Sequence, residues 1–241
     1  MTLRAEPGGD VSRLVGITAE YLREGRRISG EAMATVPFTD RRDAGERLAA
    51  ALAERGIEAD VVLAVPRGGL PLGRAVADAL DAPLDIVVAR KIGAPGNPEF
   101  ALGAVASDGT VWRNEDAPPV DEAYFERERD REAENARQKA DRYRGDRPEP
   151  DLAGETVVVV DDGVATGSTI RACLEQVRAA GADCVVLAVP VGPPETVAAL
   201  QALADEVVCL VTPPHFSGVG QFYERFDQVS DEEAMAYLDR A

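Results

Sequence analysis

Short, almost wholly apolar segments alternate with segments of helical periodicity along most of this chain. Strands that are apolar on both faces are typical of a parallel sheet covered by helices on each side, so the pattern predicts an α/β fold. The predicted strands are residues 60–65, 84–89, 156–160, 183–189 and 206–211. Because ligands on such sheets bind at the carboxyl ends of the strands, the residues that follow the strands form the candidate site.

Helical spacing of apolar residues, or opposite charges at i,i+3, marks the segments between these strands. One predicted helix begins at Arg41 and ends before Gly56, and the others are residues 70–80, 121–144, 167–180, 195–203 and 231–239. The charged residues of the segment 121–144 are interpreted as a solvated face without a function. Gly- and Pro-rich residues 90–97 predict a loop, and residues 102–112 predict a hairpin that turns at Asp108-Gly109.

The length of 241 residues suits one large domain or two small ones. We expect residues 1–36 to be an extension, with a short helix at 18–27, that packs on the body or mediates assembly. Residues 37–226 would form the core, and residues 227–241 a C-terminal helix. No secretory signal pattern and no apolar run of membrane-spanning length are visible, so we expect a cytoplasmic protein.

The formal net charge is −17 at pH 7, and all but two of the 26 Lys and Arg residues are arginine. This charge argues against nonspecific binding to nucleic acid or to anionic membranes. Abundant carboxylates and scarce lysines favour a halophilic protein whose surface stays hydrated in brine; an acidic protein from a GC-rich genome is the alternative. The three cysteines and the single histidine offer neither zinc-site spacing nor a Ser-His-Asp triad.

One segment carries most of the chemical information. An apolar strand runs into Asp161 and Asp162, and a loop of small residues then leads into a helix. The N–H groups of such a loop form an anion cradle with the helix N-terminus, to which hydroxyl groups add donors. Carboxylates beside a phosphate would repel it unless they bind hydroxyls or a metal, so the pair suits a phosphorylated sugar. The signatures of a P-loop, a dinucleotide fold and a receiver domain are absent from the sequence.

Residues 157–169 resemble the signature with which type I phosphoribosyltransferases bind 5-phosphoribosyl-1-pyrophosphate (PRPP), and the resemblance extends from about Phe38 to Phe226. It implies a parallel-sheet type I phosphoribosyltransferase fold with a flexible loop or hairpin and a small C-terminal hood. It also implies that Asp161 and Asp162 bind the ribose hydroxyls and that Mg²⁺ is held mainly by PRPP, through water to the same two carboxylates. The implied 5-phosphate loop is Ala165, Thr166, Gly167, Ser168 and Thr169.

Two positions depart from the family pattern. Gly163 replaces an apolar residue, which is expected to loosen the loop. Ala165 stands where hypoxanthine-guanine enzymes carry an aspartate beside the purine, and the lysine that those enzymes have after the next strand is missing. Both absences count against salvage of 6-oxopurines.

Two other strand ends supply cations and anion-binding N–H groups. The turn Arg67-Gly68-Gly69 lets backbone N–H groups approach an anion, adds a forked cation, and is similar to the pyrophosphate loop of the family. Arg90 and Lys91 follow the next strand, and they resemble the region that closes over pyrophosphate in adenine and orotate enzymes. An ordinary Gly-Gly turn and a solvated basic pair are the alternatives.

The segment 213–223 follows the last strand, where members of the family often form a hood over the base. Phe216 or Tyr223 would stack on a ring, His215 would hydrogen-bond to it, and Val164 is a further candidate for base contact. Aromatic packing within a C-terminal loop is the alternative.

These observations predict a PRPP-dependent phosphoribosyltransferase, in which a nitrogen of a base or amine displaces pyrophosphate from the ribose. The predicted catalytic residues are Arg67, Lys91, Asp161 and Asp162. The expected partners are small molecules, namely PRPP and a nitrogenous acceptor, with no nucleic acid and no membrane, and we expect a homodimer. A regulator that senses PRPP or a nucleotide, and a phosphoribosyl hydrolase or phosphorolysis enzyme, are the alternatives.

Overall fold

A computed structural model describes residues 37–239. The predicted extension over residues 1–36, with its helix at 18–27, lies outside the described residues. The helices are α1 (Arg41–Glu54), α2 (Gly69–Leu80), α3 (Glu122–Arg144), α4 (Ser168–Ala179), α5 (Pro194–Leu200) and α6 (Asp231–Leu238). The strands are β1 (Val61–Ala64), β2 (Leu84–Ile86), β3 (Ala89–Ala94), β4 (Asn97–Ala106), β5 (Val111–Arg113), β6 (Thr156–Val160), β7 (Cys184–Val191) and β8 (Glu206–Val211).

The main sheet has five parallel strands in the order β2-β1-β6-β7-β8, which confirms the predicted α/β fold. The sheet is buried on both faces, which explains the unbroken apolar runs in its sequence. One core cluster packs the sheet against α4 through Ile170 and Leu174. A second cluster packs the opposite face against α1 and α2 through Leu48 and Leu72. Within residues 37–239, no helix combines the length and the apolar character needed to cross a membrane.

A second, three-stranded antiparallel sheet follows β2, in the order β3-β4-β5. The prediction of one strand over residues 84–89 is therefore wrong in extent. The chain leaves the main sheet after Ile86, and Ala89, the last residue of the predicted strand, begins β3. The pairing of β4 with β5 confirms the predicted hairpin at 102–112.

The predicted loop at residues 90–97 is wrong, since most of it is strand. Arg90 lies opposite Val105 and Lys91 lies opposite Ala104 in the β3–β4 pair. The register shifts fall around Gly93, and Gly96 lies in the turn with a φ of 72°. Glycine and proline favour loops, but here they occupy the irregular end of a hairpin, where a sheet tolerates them.

Adjacent strands bring the candidate residues together. β1 and β6 are neighbours in the main sheet, with Ala64 opposite Val160, so the turns that follow them emerge side by side. Helix α3 packs against β3 and β4 and ends beside β2. Near the C-terminus, Phe38 and Tyr223 form an isolated β-bridge that ties the segment after β8 to the residues before α1.

Candidate active site

The turns after β1 and β6 meet in close contact. The Val65 N–H donates to the Val160 carbonyl at 2.9 Å, which fixes the spacing between the two strand ends. A Cβ atom at Gly68 would lie 1.9 Å from Asp162 Oδ2. Glycine is therefore the residue that allows the β1 turn to approach the carboxylate pair. The peptide bond between Pro66 and Arg67 is cis.

Both carboxylates of the pair have protein partners. Asp162 Oδ2 accepts a 2.8 Å hydrogen bond from Arg41 Nε at the start of α1. Its backbone carbonyl accepts a 2.6 Å hydrogen bond from the Tyr223 hydroxyl. Asp161 Oδ1 accepts the Asp162 N–H at 2.8 Å. The pair is thus held from the main sheet, from α1 and from the C-terminal segment.

Burial dominates the electrostatics of this pair. It raises the pKa of Asp161 well above its ordinary value, and the neighbouring charge of Asp162 raises it further, while Lys139 and Arg41 act in the opposite direction. Burial also raises the pKa of Asp162, and the coulombic attraction and hydrogen bond of Arg41 partly offset that rise. Two adjacent buried carboxylates that favour protonation are suited to ligands bringing hydroxyl groups or positive charge.

The loop after the carboxylate pair presents hydroxyl groups at the beginning of a helix. Gly167 is the N-cap of α4, and the hydroxyls of Thr166 and Ser168 lie 3.2 Å apart. The Thr196 hydroxyl donates to the Ala165 carbonyl at 2.8 Å and fixes the loop from α5. The N-terminus of α4, with its free N–H groups and dipole, is the kind of place where a phosphate binds.

Gly163 has a packing role that its sequence position did not reveal. Its φ is 152°, and a Cβ there would lie 2.6 Å from Val219 Cγ1. The glycine thus makes room for the 3₁₀ helix Val219–Phe222 to pack on the loop. The expected loosening of the loop remains a prediction, but the missing side chain is replaced by a neighbour from the C-terminal segment.

A cavity of about 560 Å³ opens beside these turns, and we call it the cation-lined cavity. Its lining comes from the turns after β1 and β6, from β3, β4 and α3, and from the start of α4. Of the residues predicted from sequence, its lining includes Arg67, Gly68, Arg90, Lys91, Asp161, Asp162 and Thr169. The structure therefore brings four of the five predicted pyrophosphate residues and the carboxylate pair around one space, together with Thr169 of the predicted 5-phosphate loop, whereas Gly69 is not among the lining residues.

The predicted cations are all engaged with carboxylates. Arg67 lies 3.9 Å from Asp231 at the start of α6. Arg90 Nε lies 3.1 Å from Glu132 on α3. Lys91 Nζ lies 3.0 Å from the Glu99 carboxylate and also donates to the Glu99 carbonyl at 3.0 Å. To bind an anion in the cavity, these side chains would exchange one acidic partner for another.

Three basic residues at or beside the site, Arg41, Arg131 and Lys139, were not identified from the sequence. Arg131 pairs with Glu132 in the cavity lining. Arg41 was only the first residue of a predicted helix, and nothing local indicates that it meets Asp162. Lys139 lies on α3, whose charged face was interpreted as solvated, yet it lines the cavity and its Nζ donates to the Pro66 carbonyl at 2.9 Å. The scarcity of lysine is the signal that could have identified Lys139, because both lysines of the chain, Lys91 and Lys139, line this one cavity.

The predicted base-contacting residues are not gathered in one place. Val164 is 2% exposed and packs in the core. Phe216 stacks on Phe222 with ring centroids 5.5 Å apart, His215 is exposed, and Tyr223 is buried with its hydroxyl on Asp162. None of the four lines the cation-lined cavity or the second cavity, of about 1000 Å³. This second cavity contains Trp112, Thr166, Ser168 and Arg171.

Comparison with known proteins gives one consistent result. A family model described as a phosphoribosyl transferase domain matches residues 39–227. Two curated proteins of Mycobacterium tuberculosis strains, each called "Putative phosphoribosyl transferase", are 47% identical over 207 residues, which is 85% of this chain and 47% of theirs. The chain thus spans about half the length of these curated relatives. The crystal structure of TT1426 from Thermus thermophilus is 49% identical, with a TM-score of 0.73, over 83% of this chain and 97% of that one.

Proposed function

The chain belongs to the phosphoribosyl transferase family, and from that premise we propose that it transfers the 5-phosphoribosyl group of PRPP to a nitrogen acceptor. The observation that carries this proposal is the composition of the cation-lined cavity. Its lining combines the carboxylates of Asp161 and Asp162 with Arg67, Arg90 and Lys91, beside the hydroxyl loop at the start of α4. A molecule with two hydroxyls between two phosphate groups matches this combination.

In the proposed reaction, the bond between C1 of the ribose and the pyrophosphate oxygen breaks, and pyrophosphate leaves with the electron pair. The lone pair of the acceptor nitrogen forms the new bond to C1, and a proton carried by that nitrogen is released to solvent. Asp161 and Asp162 would bind the 2- and 3-hydroxyls and stabilise the positive charge that develops on the ribose. Arg67 and Lys91 would stabilise the negative charge on the departing pyrophosphate. No covalent intermediate on the protein is required.

The family generally uses Mg²⁺ with PRPP, and the residues of the site fit that use. Asp161 and Asp162 are hard oxygen donors, and residues 37–239 contain no cluster of three or more His, Cys, Asp or Glu that could hold a metal ion alone. Mg²⁺ commonly binds through one or two carboxylates, waters and substrate phosphates. Bound in that way, it would neutralise part of the pyrophosphate charge. Asp161 and Asp162 would hold it through water.

The acceptor is proposed as a nucleobase other than hypoxanthine or guanine. Ala165 is exposed at the mouth of the loop, and it has no carboxylate to offer a purine ring. A site without a hydrogen-bonding partner for a substrate group gains little selectivity for substrates that carry that group. We therefore expect slow turnover of 6-oxopurines relative to the best base.

The experiment that tests the function is an assay of pyrophosphate release from PRPP, with and without each base of a panel. Release that depends on one base, together with formation of its nucleotide, is the result expected of a transferase. Release of pyrophosphate without any base would indicate a hydrolase. Binding of PRPP without release would indicate a sensor. Guanine turnover as fast as the best base would contradict the proposed use of Ala165.

A further inference from the structure

Lys139 reaches the cation-lined cavity from a helix that no sequence motif connects with the site. It lies in the last third of α3, between Ala136 and Tyr143, which pack into a small core cluster with β2 and α6. Its Nζ donates a 2.9 Å hydrogen bond to the Pro66 carbonyl and lies 5.7 Å from the centre of the Tyr143 ring. The side chain is partly buried, and its ammonium therefore points inward rather than along the solvated face of the helix.

The charge of Lys139 is not balanced in the way that the other charges of the cavity are. The other basic residues of the lining each form an ion pair with a carboxylate: Arg67 with Asp231, Arg90 with Glu132, Lys91 with Glu99, and Arg131 with Glu132. Among residues 37–239, no carboxylate forms an ion pair with Lys139. Its acceptor is the neutral carbonyl of Pro66.

An ammonium that is removed from water without a carboxylate partner costs free energy. Burial lowers the pKa of Lys139 to about 8, the positive charges of Arg90 and Arg67 add to this effect, and Asp231 and Asp161 oppose it. An anion bound in the cavity would supply the missing counter-charge. The unbound protein thus carries a cation that is poorly compensated and that faces the space where a ligand would bind.

We propose that Lys139 binds the pyrophosphate group of PRPP, and the pyrophosphate product, from the α3 side of the cavity. The inference rests on the proposed function and adds Lys139 to the residues that bind pyrophosphate at that site. The pyrophosphate end is indicated because Lys139 bonds to Pro66, directly before Arg67, Gly68 and Gly69. The candidate 5-phosphate loop follows the carboxylate pair in the chain and leads into α4, and of its residues only Thr169 lines the same cavity.

The choice of lysine at this position also fits a phosphate ligand. An ammonium has three N–H donors, and the Pro66 carbonyl uses one of them, which leaves two for phosphate oxygens. A guanidinium also binds phosphate, but it is planar and larger and presents its donors as a rigid fork, whereas an ammonium is a compact point charge. In a chain where arginine supplies all but two of the basic residues, both lysines line the same cavity.

Calorimetric titration of the full chain with three probes tests this inference: pyrophosphate with Mg²⁺, PRPP with Mg²⁺, and ribose 5-phosphate. Lys139→Gln keeps a donor for the Pro66 carbonyl but removes the charge, and Lys139→Met removes both. We expect both variants to weaken pyrophosphate and PRPP binding by about 10- to 100-fold. Ribose 5-phosphate affinity should change by less than about twofold, which also shows that the variants fold.

Arg137→Gln is the matched control, because Arg137 is an exposed cation on the same helix that pairs with Glu134 at 2.6 Å. It should bind all three probes as the wild type does. Wild-type pyrophosphate affinity in Lys139→Gln would overturn the inference, because the lysine would then only position the Pro66 carbonyl. Equal weakening of ribose 5-phosphate would also overturn it. Failure of the wild type to bind PRPP would instead overturn the proposed function.

Discussion

The guanidinium of Arg41 and the carboxylate of Asp162 form a 2.8 Å ion pair between side chains that are only 13% and 15% exposed. The two residues are 121 positions apart, and the pair joins the start of α1 to the end of β6. Arg41 also donates to the Asp227 carbonyl at 2.6 Å and lies 3.8 Å from the centre of the Phe226 ring. The carboxylate predicted to bind ribose is therefore oriented by a residue that also anchors the C-terminal segment.

Removing Arg41 should make PRPP binding more sensitive to pH. Burial raises the pKa of Asp162 and Arg41 lowers it, so Arg41→Met should raise that pKa further. The carboxylate would then be protonated over a wider range, and PRPP affinity should fall about tenfold near pH 6 and less near pH 9. Arg42→Met is the control, because Arg42 is exposed and pairs with Glu46. A pH profile of Arg41→Met that matches the wild type would contradict this role.

Lys91 should matter more for turnover than for binding. Its Nζ is held by Glu99 in the unbound protein, and it would reach the pyrophosphate as negative charge develops there. Lys91→Ala should lower single-turnover rates by roughly 10²-fold, about 3 kcal/mol, with a much smaller change in PRPP affinity. Arg127→Ala, which removes an exposed cation of α3, should leave both values unchanged. Near-normal chemistry in Lys91→Ala would contradict this role and would leave the developing charge to Arg67, Lys139 and the metal.

Pyrophosphate affinity should decline as the pH rises through about 8. Burial lowers the pKa of Lys139 to about 8 from 10.5, so the folded protein loses this proton before the unfolded chain does. Below about pH 8 the charged ammonium attracts pyrophosphate but destabilises the unbound fold. The free energy of unfolding of the unbound protein should therefore rise between about pH 8 and 10.5. Because ionisation of pyrophosphate itself affects both proteins equally, the ratio of wild-type to Lys139→Gln affinity is the quantity to measure. A constant ratio across this range would contradict the assignment.

The fold followed from local patterns to a large extent. Apolar strands and helical spacing located the five strands of the main sheet and the helices around it, because burial on both faces leaves a strong sequence signature. The hairpin of β3 and β4 was missed, since Gly93, Pro95 and Gly96 weaken the strand pattern at its irregular end. Pairing with β4, which is a tertiary contact, decides the conformation of residues 90–94.

Only part of the candidate site could be predicted from the sequence. Residues that follow strands were identified, because the carboxyl ends of parallel strands converge on one edge. Arg41 and Lys139 reach that edge from helices, and the packing that aims them depends on residues about 70 to 120 positions away. The C-terminal aromatic residues form a cluster in which Tyr223 supports Asp162, a contact that aromatic composition does not predict.

The net charge of −17 predicts a marked effect of salt on stability. Repulsion among the carboxylates should be strong in dilute buffer and screened near 1 M salt, where the Debye length is about 3 Å. We expect the melting temperature to rise steeply between dilute and molar KCl. A flat or falling curve would favour the alternative, an acidic protein that is not adapted to salt.

The central claim is that the carboxylate pair of this chain binds the ribose of PRPP. Calorimetric titration of wild type and Asp162→Asn with Mg²⁺ and PRPP tests it most directly, with Asp130→Asn as the control at an exposed carboxylate. We expect the wild type to bind and Asp162→Asn to weaken the affinity by ~1–3 kcal/mol, while the control variant binds as the wild type does. An Asp162→Asn variant that binds PRPP as tightly as the wild type would contradict the claim.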